Sequence, residues 1–197
     1  VPDVLRDLSE ALHGRRHAAG ADFNREGMRM QVRVVAPDPA WPGRYEDEAK
    51  RLRAALGSLD VSLHHIGSTA ISGIFAKPVI DILLVVDALE HLDARVEAVR
   101  ALGYEAKGEF GIPGRRYFRR DDRSGVRTHQ VHAFERGSSG AIRHLAFRDY
   151  MNAHADAAQV YNALKRRLAA VHACDMAAYI EGKSAFVRQH EVLAVEW

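Results

Sequence analysis

The stretch that most constrains how this chain folds is Val79-Ile80-Asp81-Ile82-Leu83-Leu84-Val85-Val86, bounded by Pro78 and Asp87. A short, nearly continuous apolar run of this kind is a strand buried on both faces, inside a sheet that helices cover from each side. The exception within it is Asp81. An ionised carboxylate in apolar surroundings costs several kcal/mol unless it is paired, metal-bound or open to water. Side chains alternate along a strand, so Asp81 shares a face with Val79, Leu83 and Val85. Either the acid accepts N–H groups from a neighbouring turn, or it ligates a Mg²⁺ ion that faces bound phosphates.

The segment just before it supplies the second half of that alternative. In "HHIGSTAISGIFAKP" an apolar strand over residues 61–66 runs into Gly67-Ser68-Thr69 and a short helix through Ile74. Glycine lets the chain turn sharply, and the N–H groups at a helix start favour an anion. The Ser68 and Thr69 hydroxyls add donors suited to the terminal phosphates of a nucleotide, although an ordinary helix cap has the same pattern. Lys77 stands at the mouth of the strand that carries Asp81, where a cation would hold a phosphate.

Further along, "RRYFRR" reads as a strand at 115–120 and "VRTHQVHAF" as one at 126–134, joined by the polar turn "DDRSG". Alternation puts Arg115, Tyr117 and Arg119 on one face and Arg116, Phe118 and Arg120 on the other. Both faces carry arginines, so a phosphate-binding face and a charge-blunted edge strand are equally compatible with the pattern. Gln130 and His132 share a face while His129 takes the other, which makes His132 the histidine expected near Asp81. With Asp81 it would suit a transition metal rather than magnesium, or it would serve there as a general base or phosphate contact, or it is simply bonded within the core.

Around these strands the pattern is helical. Val32–Val35 reads as a short strand, "APDPAWPG" as a loop, 45–56 as a helix, and 88–101 as a helix capped by Asp87 and ended by Gly103. Helices follow at 142–153, 156–173 and 175–193. Strands mixed with helices and then an all-helical tail make an α+β fold with a C-terminal helical layer. Residues 1–27 read as an extension with a short helix at Val4–His13. The folded domain is expected over 28–197, with its sheet part at about 28–140 and its helical part at about 141–197.

Composition narrows the classes. The 197 residues carry a net charge of +2 and a single cysteine, Cys174. One thiol excludes an internal disulfide or a Cys-rich metal site and points to a reducing cytoplasm. No apolar run approaches the roughly 20 residues a membrane helix needs, and the first residues lack a signal-peptide core. Basic residues are scattered rather than gathered into an aromatic-lined stripe, which argues against nucleic acid as a partner. The eleven histidines form no local metal motif.

Taken together, Gly67-Ser68, a helix and Asp81 on a strand resemble the signature of the nucleotidyltransferase superfamily, the polymerase-β-like fold. More narrowly, "VAPDPAWPGRYEDEAKRLRAAL", "HHIGSTAISGIFAKPVIDILLVV", "RYFRR", "RTHQVHAF", "HLAFRDYMNAH", "YNALKRRLA" and "YIEGKSAFV" resemble the GrpB family. That resemblance spans residues from about 32 to 190 and implies a mixed β-sheet flanked by helices. It also implies a nucleoside triphosphate or similar phosphate ligand, a Mg²⁺ or Mn²⁺ ion on Asp81, and transfer of a nucleotidyl group to an unknown small-molecule acceptor. In active superfamily members a second acid stands two residues after the first; here that position is Leu83, which cannot ligate a metal. The alternative is a non-catalytic nucleotide- or coenzyme-binding module with a link to coenzyme A metabolism, since family members occur fused to dephospho-CoA kinase. The resemblance implies Asp81 and His132 as catalytic groups, and Gly67, Ser68, Thr69, Lys77, Arg116 and Lys165 as phosphate contacts. Tyr161 and Lys183 of the helical tail either reach over the cleft or dock the tail.

Overall fold

Residues 31–197 are those described by a computed structural model, so the expected extension 1–27 and its helix at Val4–His13 lie outside the described residues. In chain order the elements are α1 (Trp41–Leu56), β1 (Ser62–Ile66), a 3-10 turn (Ser68–Ala70), β2 (Ile80–Val86), α2 (Leu89–Asp93) and α3 (Val96–Ala101). Then come β3 (Glu105–Ala106), β4 (Arg116–Asp121), β5 (Arg127–Glu135), α4 (Ser139–Ala153), α5 (Ala155–Val171) and α6 (Met176–Glu196). The strands form one sheet in the order β1-β2-β5-β4-β3. β2 pairs parallel with β5, and the other neighbours are antiparallel. The fold is thus a mixed sheet flanked by helices, with an all-helical C-terminal layer.

Alternation along β2 divides the core into two. Ile80, Ile82, Leu84 and Val86 pack with Leu52 and Leu56 of α1, Phe118 of β4 and Val131 of β5. Leu83 and Val85 point the other way, onto Ile66, Phe134 and Ala141 of α4. Every residue of β2 is buried except Asp81, and each buried aliphatic side chain contributes roughly 1.5–3 kcal/mol. A separate cluster around Ile71, Ile74, Met151 and Tyr161 ties the segment before β2 to α4 and α5. The layer is also pinned by an ion pair, Arg143 Nη1 to Glu191 Oε1 at 2.6 Å, between α4 and α6. No helix of the described residues is long and apolar enough to cross a membrane.

Several expected elements differ. Val32–Val35 is not a strand: only Val35 pairs, with Ala76, and the Val32 N–H goes to the Ala173 carbonyl at 2.8 Å. α1 starts at Trp41, inside the proline-rich segment, because a proline in the first helical turn lacks only an N–H that would be unpaired there anyway. The expected helix 88–101 is two short helices. Asp87 does not cap it, since it binds Arg136, and the Leu89 N–H is taken by Glu135 instead. α4 begins earlier than expected because Ser138 Oγ caps it by accepting the Ala141 N–H. The helix expected through Ile74 shrinks to the one 3-10 turn, which ends at Ala70.

Candidate functional site

Asp81 leaves the sheet on the side covered by α4–α6. It stands opposite Gln130 of β5, and the neighbouring pair on that face is Leu83 with His132. This shared phase brings His132 Nε2 to 3.7 Å from Asp81 Oδ1. The Asp81 side chain is 26% exposed, so solvent reaches the carboxylate although the strand around it is dry. Gly67 makes that possible. Its φ of 71° and ψ of −170° lie in a region open to glycine almost alone. A Cβ there would collide with Asp81 Oδ2 and sit 3.0 Å from its Cβ and Cγ.

Cations converge on the acid from separate segments. Lys77 lies on the approach to β2, with its Nζ 3.7 Å from the Met176 sulfur at the start of α6. Lys183 comes from α6, its Nζ 5.8 Å from the centre of the Tyr179 ring. Lys165 of α5 is 1% exposed; it donates to the Phe75 carbonyl and lies 4.6 Å from the centre of the Tyr161 ring. The Ser68 side chain acts to lower the Tyr161 hydroxyl, which completes the ring of groups beside the Gly67 turn.

The electrostatics of this ring have one sign. Burial, and next the charge of Lys183, lower Lys77 to about 8, while Asp81 acts to raise it. Lys183 is itself lowered by burial, with Asp81 the only opposing influence. Burial and then Lys183 bring Lys165 down to about 7. Tyr161 is pushed up to about 12, mainly by burial, with the Ser68 side chain opposing and Asp81 adding to the rise. Among the described residues, no carboxylate forms an ion pair with any of the three lysines. Asp81 therefore acts on two ammonium groups, Lys77 and Lys183, while Lys165 feels Lys183.

The structure sorts the other expected residues. Thr69 is buried, and its hydroxyl is committed to the Val79 carbonyl at 3.3 Å and to His65 Nε2 at 2.9 Å; it does not open toward Asp81. Arg116 points to the opposite face of the sheet, where both its Nε and Nη2 bind Asp93 at 2.7 Å. Arg116 is therefore not a contact at this site. His129 also faces away, and Arg120 holds it at 2.9 Å. Lys165 is too deep to touch a ligand directly, its ammonium group being given to the Phe75 carbonyl. Of the residues expected to gather, Gly67, Ser68, Lys77, Asp81 and His132 are brought together.

Sequence alternation missed Arg127. A bulge in the pairing of β4 with β5 breaks the alternation after Arg120–His129, so Asp121 pairs with Arg127. Arg127 Nη1 then reaches the Tyr117 hydroxyl at 3.5 Å, and its charge is felt by Lys77. Lys183 carried only the weak signal of the "EGKSAF" segment. His132 sits between the rings of Tyr117 and His144, at 5.3 and 5.5 Å, and its buried Nδ1 has no hydrogen-bond partner among the described residues.

These donors do not fit the metal expected at Asp81. Leu83 fills the place of a second acid and is fully buried. Glu109 binds the Gly114 N–H, Asp121 pairs with Arg127, Asp122 holds its own turn, and Glu135 caps α2. Among the described residues, no group of three or more His, Cys, Asp or Glu side chains is arranged to hold a metal ion. Hard divalent cations take oxygen ligands, and here the lone carboxylate has a histidine nitrogen as its near neighbour and acts on the charges of Lys77 and Lys183. A hollow of about 340 Å³, lined by Pro37, Trp41, His65 and Thr69, lies on the α1 side of the turn. The chemistry nevertheless gathers at Asp81, where an exposed charge interrupts a dry strand.

Comparison with known proteins agrees with this architecture. The family model described as "GrpB protein" matches residues 31–192. The UPF0157 protein YqkA of Bacillus subtilis is 39% identical over 169 residues, covering 86% of this chain and 49% of that protein. The chain thus spans about half the length of that relative. A dephospho-CoA kinase of Mycolicibacterium paratuberculosis is 32% identical, with 88% of this chain and 48% of the kinase covered. The crystal structure of the conserved protein GrpB from Enterococcus faecalis superposes with a TM-score of 0.78 at 36% identity, over 83% of this chain and 98% of that one. The Cid1 poly(U) polymerase bound to Mg 3'-dATP, a nucleotidyltransferase, shares the fold at a TM-score of 0.50 and 15% identity, over 70% of this chain and 43% of that one.

Proposed function

The chain belongs to the GrpB family on a nucleotidyltransferase-like fold, and on that premise we propose that it binds a nucleoside triphosphate or similar phosphate-bearing small molecule beside Asp81. Lys77 and Lys183 contact the phosphates, Ser68 and the Gly67 turn form the rim, and Lys165 adds positive potential from behind. The observation that carries this function is the meeting of cations from two segments at a solvent-reached gap in an otherwise dry sheet. Ammonium groups that depress one another's proton affinity gain most from an anion, because it removes their mutual repulsion.

Binding is favoured over turnover because Leu83 replaces the second acid. Nucleotidyl transfer to a small-molecule acceptor has one observation on its side, the 3.7 Å approach of His132 to Asp81. In that case His132 takes the proton of the acceptor hydroxyl, whose oxygen bonds to the α-phosphorus as pyrophosphate leaves. The relatives named dephospho-CoA kinase make coenzyme-type adenosine phosphates a reasonable part of the ligand panel.

A thermal-shift screen of ATP, GTP, CTP, UTP, dephospho-CoA and coenzyme A tests the function. A ligand at 100 times its Kd adds roughly 2.7 kcal/mol of stability. The expected result is a rise in Tm with at least one of them that is lost in Lys77→Met. No shift with any of the six would remove the proposal. Release of pyrophosphate with a candidate acceptor would promote the transfer alternative.

A further inference from the structure

Resting on that proposed function, we infer that the site holds its phosphate ligand without a divalent metal ion, the ammonium groups of Lys77 and Lys183 supplying the positive charge instead. Charge balance at a fixed place decides between the two. A metal-dependent phosphate site carries a surplus of carboxylates, which the ions neutralise before the phosphates arrive. At Asp81 the surplus has the opposite sign.

Geometry sets that sign. Asp81 is one carboxylate, and the place of its usual companion is the buried Leu83. Gln130, its partner across the β2–β5 pairing, is neutral. Lys77 is held over the start of α6 by its contact with Met176, and Lys183 is held over Tyr179 on the same helix. Lys165 stays behind them, fixed to the Phe75 carbonyl. Arg127 adds a further positive charge felt by Lys77. A divalent ion brought to Asp81 would meet these ammonium groups as like charges, with one carboxylate and the His132 imidazole, 3.7 Å from it, to hold it, short of the oxygen set a hard cation takes. A polyphosphate meets the same groups as counter-charges. The role left to Asp81 is electrostatic. It makes keeping Lys77 and Lys183 protonated close together less unfavourable, and the incoming phosphate takes over part of that role.

This assignment reverses what a metal site predicts for Asp81. Removing the charge of a metal ligand abolishes binding. Removing a carboxylate that faces the phosphates takes away a repulsion, so the ligand binds as well or more tightly. Isothermal titration of the whole chain with ATP, and with inorganic tripolyphosphate as a base-free probe, separates the cases. Each titration is run once in EDTA and once in excess Mg²⁺.

The expected result is binding of at least one probe in EDTA with affinity equal to or greater than that in Mg²⁺. Lys77→Met and Lys183→Met should each weaken it roughly tenfold, about 1.4 kcal/mol, in both conditions. At pH 6, below the value of about 8 at which Lys77 titrates, Asp81→Asn should leave it unchanged or stronger. Circular dichroism of each variant confirms the fold; Lys183→Gln serves as a second, polar replacement should the methionine variant misfold. Binding seen only with Mg²⁺ and lost in Asp81→Asn would overturn the inference while leaving the phosphate-binding function intact. Metal-independent binding that ignores both lysines would also overturn it, because the ligand would then sit elsewhere. Absence of binding by either probe in both conditions, together with a silent thermal-shift screen, would remove the inference and the function with it.

Discussion

Gly67 and Asp81 are coupled at the level of single atoms. The glycine holds a backbone conformation that costs other residues about 1–3 kcal/mol, and its missing Cβ leaves room for the carboxylate. Gly67→Ala therefore adds two penalties, backbone strain and overpacking, the second of which is typically about 1–3 kcal/mol. The expected loss in urea unfolding is roughly 2–5 kcal/mol. Asp81→Ala removes the colliding atoms beyond Cβ, so Gly67→Ala should cost less on that background than on the natural chain. A double-mutant cycle reads the difference as a coupling of about 1 kcal/mol or more. Strict additivity would mean that the close approach has no energetic weight. Leu83 belongs to the same scale. It is fully buried against the α4 side of the sheet, so replacing it with Asp to restore an acid pair would put a second charge into a dry core.

Elements were legible where one local rule governed them. β2 was readable because seven of its eight candidate positions are apolar, and α4–α6 because residues 139–196 are alanine-rich and run without a proline. The failures share a cause: the deciding contact comes from far along the chain. Nothing near Arg116 says that Asp93 lies under it, and both faces of β4 carry arginines, so its direction could not be read. Alternation is a sound rule until a bulge resets it, as happens between Arg127 and His129. In the site, Asp81 and the Gly67 turn announced themselves by breaking a pattern, whereas Lys183 stands on a helix more than a hundred residues away with no such break. The buried Arg143–Glu191 pair that binds α4 to α6 was invisible for the same reason. Its two side chains are 10% and 9% exposed, so removing one partner strands a buried charge, which costs about 3–5 kcal/mol. Arg143→Met should destabilise by that amount in urea unfolding, and Arg143→Met with Glu191→Leu by clearly less. Equal losses in the single and double variants would show that packing, not the pair, holds the two helices.

Across the whole molecule the depressed lysines tie stability and binding to pH in opposite directions. Unfolded, each titrates near 10.5, whereas in the fold Lys165 titrates near 7 and Lys77 near 8. Between those values the unfolded chain retains protons that the folded chain has released, so stability rises with pH across that window. For Lys165 alone the full effect is on the order of 5 kcal/mol at most. His65 and His129, both lowered to about 4 by burial, add a rise of the same sign between roughly pH 4 and 6.5. Tyr161, raised to about 12 from an ordinary 10.0, reverses the trend above pH 10, because there the unfolded chain loses its proton first. Ligand-free Tm at constant ionic strength should therefore climb from pH 6 to about 9.5 and then fall, with the climb flattened in Lys165→Met. A phosphate ligand acts against this trend. It favours the protonated lysines, so its affinity should drop as pH passes from about 7 to 9, and binding near pH 8 should take up protons, seen as a dependence of the titration heat on the buffer's ionisation enthalpy. A Tm that stays flat from pH 7 to 9 would show that the lysines are not held in a shared field. Buffer-independent heats would show that the ligand does not meet them.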